Sequence, residues 1–144
     1  MSKRHVALRT GRVSERGRIY LVTFTTRDRR PLFADFAAGC VATRAILDAC
    51  AGCDATLLAW ILMPDHWHCM LQLESTSLSD CVRRMKGTSA RGIRSELAGI
   101  GGIWAPAFHD RALRREDDLV AAARYVVLNP VRARLVRRVG DYPF

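Results

Sequence analysis

The chain has 144 residues, enough for one domain with its own hydrophobic core, and its longest nearly unbroken apolar run, Ala55 to Met63, is far too short to cross a bilayer. It carries 23 Lys and Arg against 14 Asp and Glu, a formal charge of +9. That balance points to a polyanion such as nucleic acid, or to an anionic surface, with plain solubility as the simpler account. The distribution says more than the sum: residues 1–30 hold nine cations against Glu15 and Asp28, net +7, while residues 31–75 hold Arg44 against five acids, net −4. The N-terminus is basic and polar with no apolar run behind it, so a cytoplasmic, nucleoid-associated protein is expected. Its five cysteines are then reduced thiols, and no membrane partner is expected.

Residues 1–18 contain Arg and Gly with little periodicity and read as a basic arm or a disordered tail. Ile19 to Thr26, IYLVTFTT, is rich in β-branched and aromatic residues and predicts a first strand, closed by the charged turn RDRRP. Phe36 to Cys50 places apolar residues near helical spacing and stops at Gly52. Leu57 to Met63 and His66 to Leu73 are two apolar runs joined at Pro64-Asp65, which suits an antiparallel hairpin with Pro64 at the first central position of a tight turn. If Met63 faces His66, then Ile61 faces His68, and Trp67, Cys69, Leu71 and Leu73 form a core face.

Ser77 or Ser79 can cap the next helix, which runs to about Leu97. Leu78, Val82, Met85, Ile93 and Leu97 share one of its faces, and Arg83, Arg84, Arg91 and Arg94 gather on the other as a solvated surface or a phosphate-tracking ridge. AGIGGI is a loop, a short last strand is expected near Phe108, and Glu116, Asp117 and Asp118 suit the start of a helix LVAAARYVVLN ending before Pro130. Asn129 can cap a further basic helix, VRARLVRRV, with Pro130 at its first position. The order β-α-β-β-α-β-α predicts an α+β, ferredoxin-like sandwich with a central antiparallel sheet, followed by a C-terminal helix bearing Tyr125. Residues 1–144 form a single domain, of which 116–139 are the tyrosine helix and its basic successor.

Two histidines one residue apart in a strand point the same way, about 6.6 Å apart along the chain, so His66 and His68 offer a two-toothed metal clamp. Ordinary strand histidines satisfied by hydrogen bonds or solvent are the alternative. His109 beside Asp110 reads more readily as a surface group than as a third ligand. Cys50-x-x-Cys53 followed by His66 imitates a zinc-finger spacing, but a finger needs histidines three to five residues apart on a helix. Tyr125 and Asn129 are four apart and share a helical face; taken singly, the tyrosine can be packing and the asparagine a cap. In combination with neutral imidazoles, an amide oxygen and a phenol suit an octahedral Mg²⁺ or Mn²⁺ site beside a nucleophile.

The HWH triplet after LAWILMPD is similar to the histidine-hydrophobe-histidine motif of the HUH endonucleases, and RYVVLNPVRARLV resembles the single-tyrosine helix of their transposase branch. With TFTTRDRRPLF, MKGTSAR and FHDRALRREDDL, the resemblance is to REP-associated tyrosine transposases and runs from about Ile19 to Tyr142. It implies a metal-dependent, transposase-like endonuclease and strand transferase acting on single-stranded DNA at REP-type palindromic hairpins. Tyr125 matches the nucleophile that forms a 5′-phosphotyrosine and releases a 3′-hydroxyl, and His66 and His68 match the paired ligands of Mg²⁺ or Mn²⁺. Asn129 matches the polar residue that completes the site. By analogy, DNA would be held by Arg4, Arg12, Arg16 and Arg18 of the arm, by Arg83, Arg84, Lys86, Arg91 and Arg94, and by Arg111, Arg114 and Arg132. A monomer is expected rather than a homodimer, and a hairpin-binding protein that keeps the fold without cleaving is the alternative. The sequence as read ends at DYPF, whereas relatives commonly continue with further aromatic residues, and Cys50 and Cys53 lie outside the shared pattern.

Overall fold

A computed structural model describes residues 16–114 and 117–144. Arg4, Arg12 and Glu116, with most of the expected basic arm, lie outside the described residues. Four strands, β1 (Ile19–Thr25), β2 (Ala55–Met63), β3 (His66–Leu73) and β4 (His109–Ala112), form one sheet in the order β2-β3-β1-β4, every neighbouring pair antiparallel. Helices α1 (Phe36–Ala51) and α2 (Leu78–Glu96) supply the crossovers, giving the expected ferredoxin-like βαββαβ order. Helix α3 (Leu119–Val127) and the single turn α4 (Asn129–Arg132) follow.

Strand alternation decides which face each residue serves. In β1, Tyr20, Val22 and Phe24 are buried against the helices, and in β3 Trp67, Cys69, Leu71 and Leu73 do the same, as the pattern predicts. Helices α1 and α2 pack side by side on this face, and Ile46, Leu78, Met85 and Ile93 complete a core in which Trp60 stacks on Trp67. Asp35 and Ser77 accept from the backbone N–H groups of Ala38 and Asp80 and so cap α1 and α2.

The opposite face carries Leu21, Thr23 and Thr25 from β1 and His66 and His68 from β3. The hairpin register is the expected one, Met63 opposite His66 and Ile61 opposite His68, with a bulge between Leu57 and Ala59 farther along β2. Helix α3 lies on this face through fully buried Val126, which packs with Ile61 and Met63. Its N-terminus is fixed by Asp118, whose carboxylate accepts from the N–H groups of Val120 and Ala121, at 2.9 and 3.1 Å. Tyr142 donates its hydroxyl to the Leu62 carbonyl at 2.5 Å, tying the C-terminal segment across edge strand β2.

Three expectations are corrected here. Asn129 does not cap: the residue before α4 is Leu128 in helical conformation, and the Asn129 amide turns back to donate to the Val126 carbonyl at 3.2 Å. The basic C-terminal helix also stops after one turn, at Arg132; Arg134 has a left-handed φ of 60°, which breaks helical continuity. The first strand also ends one residue earlier than read, because Thr26 leaves it to bridge Trp104.

Candidate active site

His68 enters the site from β3 opposite Thr23, and the Thr23 hydroxyl lies 2.6 Å from its Nδ1. With the proton on Nδ1 donated to Thr23, the ring presents the Nε2 lone pair, and Nε2 is buried without a hydrogen-bond partner. A buried polar atom left unpaired is costly unless something completes it. Burial, reinforced by the neighbouring His66 and Arg132 charges, pushes the His68 pKa down to about 4. The ring is therefore neutral near pH 7, the form that binds a metal.

His66 is arranged in parallel. Its Nδ1 donates to Asp65 Oδ1 at 2.8 Å, and Asp65 is steadied on its other oxygen by Arg29 Nε at 3.1 Å. A carboxylate on Nδ1 fixes the tautomer and leaves Nε2 as the ligating atom. The turn carrying Asp65 is itself pinned, since its carbonyl accepts from Thr26 N and the Pro64 carbonyl from Phe33 N. Each histidine is thus held by Nδ1 and offers Nε2.

Tyr125 reaches this pair from α3. Its ring centroid lies 6.2 Å from that of His68, edge to face, and the residue is 55% exposed although Val126 beside it is fully buried. A tyrosine serving the core would be covered. Arg132 stacks its guanidinium 3.9 Å above the Tyr125 ring and donates to the Tyr125 carbonyl at 2.6 Å, so the phenol is oriented by the turn that follows it. Asn129 sits between them in sequence, and because its NH₂ is the group facing the Val126 carbonyl, Oδ1 remains as an acceptor.

Beside Tyr125, a cavity of about 400 Å³ opens between α3 and the β1–β4 edge, with Leu21, Leu113, Arg111 and Asp117 among its walls. Among the described residues no three His, Cys, Asp or Glu side chains converge to hold a metal, so His109 and the cysteines form no such cluster. His109 does share the histidine face, paired with Thr23 on the far side from His68. All five cysteines are free thiols, and burial pushes Cys50 and Cys69 up to about 12, which keeps them protonated and inert.

The cations expected to meet DNA fall into two groups. Arg111 and Arg132 lie on the histidine face, whereas Arg83, Arg84, Arg91 and Arg94 are exposed on α2, on the other side of the sheet. Lys86 is not a free member of that ridge: its Nζ donates to the carbonyls of Ala105 and Ala107. Arg16 lies 3.9 Å from Glu74, Arg18 is half-buried and Arg114 is exposed. Thr23, Asp65 and Arg29 were not legible as site residues. Only the position of Asp65, immediately before His66, hinted at its role.

A half-buried neutral histidine makes a pH prediction. The unfolded chain takes up a proton on His68 near 6.5 and the folded chain only near 4, so in that window the unfolded state holds more protons. Stability in chelator falls as pH is lowered from about 6.5 towards 4. Urea midpoints at pH 7 and 5 test this, and His68→Gln should flatten the difference; an unchanged slope would show that His68 is not the group responsible.

This fold, with paired strand histidines of which His68 faces an exposed tyrosine, defines a class: residues 16–126 match the family described as "Transposase IS200 like", and the chain belongs to that family. The narrower resemblance is also borne out. The chain is 30% identical over 86 residues to the REP-associated tyrosine transposase of Escherichia coli strain K12, covering 60% of this chain and 50% of that protein, so it spans about half the length of this curated relative. The structure of a REP-associated tyrosine transposase bound to a REP hairpin aligns with a TM-score of 0.75 at 27% identity, covering 92% of this chain and 78% of that one. A crystal structure of a Deinococcus radiodurans R1 protein shares the fold, with a TM-score of 0.61 at 20% identity over 90% of this chain and 96% of the other. No helix among the described residues is long and apolar enough to cross a membrane.

Proposed function

We propose that the chain is a metal-dependent DNA strand transferase that uses Tyr125 as nucleophile on single strands carrying palindromic hairpins. The observation that supports this most is the pairing of an exposed, Arg132-oriented phenol with a His68 ring whose buried Nε2 has no partner. In the reaction, Tyr125 Oη attacks the scissile phosphorus, the bond to the 3′-oxygen breaks, and a 5′-phosphotyrosine and a 3′-hydroxyl result. The phenol proton passes to solvent and the departing oxygen takes one up. Arg132 holds the ring in line and places positive charge beside the developing phosphorane.

The donor set fits a divalent cation: two imidazoles, each with a partner on Nδ1 that leaves Nε2 for the ion, and an amide oxygen from Asn129. Mg²⁺ or Mn²⁺ bound there would neutralise the scissile phosphate and orient it. His66, His68 and Asn129 would hold the ion, and the approach of Tyr125 to His68 within the same chain supports reading the protein as a monomer.

DNA would be gripped by the exposed arginines Arg83, Arg84, Arg91 and Arg94 on α2, by Arg111 and Arg114, and by the N-terminal Arg4, Arg12, Arg16 and Arg18, through phosphates rather than bases. The REP hairpin bound by the structural relative supplies the substrate class. The test is to incubate labelled hairpin DNA, with single-stranded flanks, with Mn²⁺ or Mg²⁺ and look for an adduct that survives denaturation. Its absence under either metal while the hairpin still binds would leave a binding protein and overturn the enzyme reading.

A further inference from the structure

The Cys50-x-x-Cys53 pair, which the reaction leaves unused, belongs to a larger group. On the helical side of the sheet the fold brings four of the five cysteines together: Cys50 and Cys53 where α1 ends, Cys81 in the first turn of α2, and Cys69 from β3. Among the described residues no three of them converge to hold a metal, which leaves the chemistry of thiols. Cys50, Cys69 and Cys81 are buried in the core, whereas Cys53 is half-buried.

Cys53 and Cys81 share the wall of a cavity of about 410 Å³, a volume that admits a small peptide thiol. Cys53 Sγ lies 3.4 Å from the Ala49 carbonyl and 3.8 Å from the Cys81 carbonyl, and the two thiols are within hydrogen-bonding reach of each other. Cys81 Sγ in turn lies 4.0 Å from Met85 Sδ in the closed core. One thiol is presented to the cavity, and the other lies behind it. The backbone around the pair is fixed: Gly52 N and Cys53 N donate to the Ala49 and Cys50 carbonyls at 3.3 and 3.0 Å, and Cys81 N donates to the Ser77 carbonyl at 3.0 Å. Arg84 leans on the same turn. A Cβ at Gly52 would meet its Nη2 at 2.8 Å, so the glycine makes room for a guanidinium over the C-terminal end of α1. The two acids in the wall, Asp54 and Asp80, are already engaged with Ser75 and Arg83. Burial, opposed by the Arg84 charge, pushes the Cys81 thiol up, which suits it to follow another thiol rather than to attack first.

We propose that Cys53 and Cys81 form a dithiol site that reacts with small disulfides and closes to a Cys53–Cys81 cross-link. The Cys53 thiolate attacks one sulfur of the small disulfide, the S–S bond breaks, and one thiolate leaves, giving a mixed disulfide on Cys53. Cys81 then gives its proton to solvent, and its sulfur attacks Cys53 Sγ and expels the second thiolate. The protein loses two electrons and two protons, and the small disulfide gains them as two thiols. The cross-link closes residues 53–81 into a ring that contains the whole β2–β3 hairpin, His66 and His68 included. The site lies on the helical side of the sheet and needs neither DNA nor Tyr125.

The test uses the whole chain with Cys40, the other half-buried thiol, replaced by serine. The reduced protein is equilibrated with glutathione disulfide, quenched by alkylation and weighed by mass spectrometry. It should lose two alkylatable thiols without retaining glutathione, and peptide mapping should join Cys53 to Cys81. Adding Cys81→Ser should stop the reaction at one glutathione on Cys53, with Cys81→Ala as the second variant should serine not be tolerated in the core. Cys53→Ser should slow the loss of the Cys81 thiol by at least about tenfold, because the thiol that opens the exchange is gone. Cys50→Ala should change the rate by less than about twofold and leave the product the same. The cross-linked protein should melt at least about 5 °C above the reduced one, and dithiothreitol should reverse the gain. A cross-link between Cys50 and Cys53, glutathione that persists while Cys81 is present, thiols that stay fully alkylatable, or an oxidised protein no more stable than the reduced one would each overturn the site.

Discussion

Tyr125→Phe should abolish the covalent protein–DNA adduct, lowering product by four orders of magnitude or more, about the scale on which removal of a catalytic nucleophile registers. The substitution deletes one oxygen and little else. Phenylalanine keeps the ring that Arg132 covers at 3.9 Å and that meets His68 edge to face. The side chain is more exposed than buried, so stability should change by less than about 1 kcal/mol. Hairpin affinity should also stay close to wild type. The measurement is a denaturing gel for the adduct beside a urea melt and a binding curve. If Tyr125→Phe cleaves at near wild-type rate, water is the nucleophile and the tyrosine serves packing alone.

His68→Ala should remove metal-dependent cleavage while leaving hairpin binding within about twofold, because phosphate contacts carry most of the affinity and this ring is not a cation at neutral pH. The change takes away the unpartnered Nε2 and strands the Thr23 hydroxyl that now faces Nδ1. A fall in stability of about 1–3 kcal/mol should accompany it, since a half-buried ring is lost and a polar group is left open. Mn²⁺ titration followed by electron paramagnetic resonance separates the two effects: wild type should bind the ion without DNA, and the variant should bind it at least about tenfold more weakly. Undiminished Mn²⁺ binding with cleavage intact would remove His68 from the site.

The two results bear on different halves of the site, and those halves differ in how they are encoded. The histidine half is local. Period-two alternation puts His66 and His68 on one face, the two-residue Pro64-Asp65 turn sets Met63 against His66, and every contact needed to foresee this lies within about a dozen residues. The core faces of β1, β3 and α2 are legible for the same reason, since burial follows the period of each element.

The rest depends on segments distant in sequence. Thr23 meets His68 because β1 and β3 pair across 45 residues, and no pattern in either strand announces that hydroxyl as the partner of Nδ1. Charge marks Arg132 as a DNA contact, but only the fold shows that α4 ends after one turn and lays its guanidinium over the Tyr125 ring. Asn129 likewise looked like a cap from its place before Pro130, but the chain stays helical through Leu128 and its amide is used on Val126.

The α+β order, the hairpin, the basic surfaces and the chemical identity of the candidate site residues are legible along the chain, because alternation, turn chemistry and charge are properties of neighbouring residues. That α3 covers the histidine face while the α2 arginines occupy the other, and which side chains hold each imidazole, emerge only in the folded molecule. Those outcomes follow from how amphipathic elements bury their apolar sides against one sheet, a global choice that sends residues close in sequence, such as Phe108 and His109, to opposite faces.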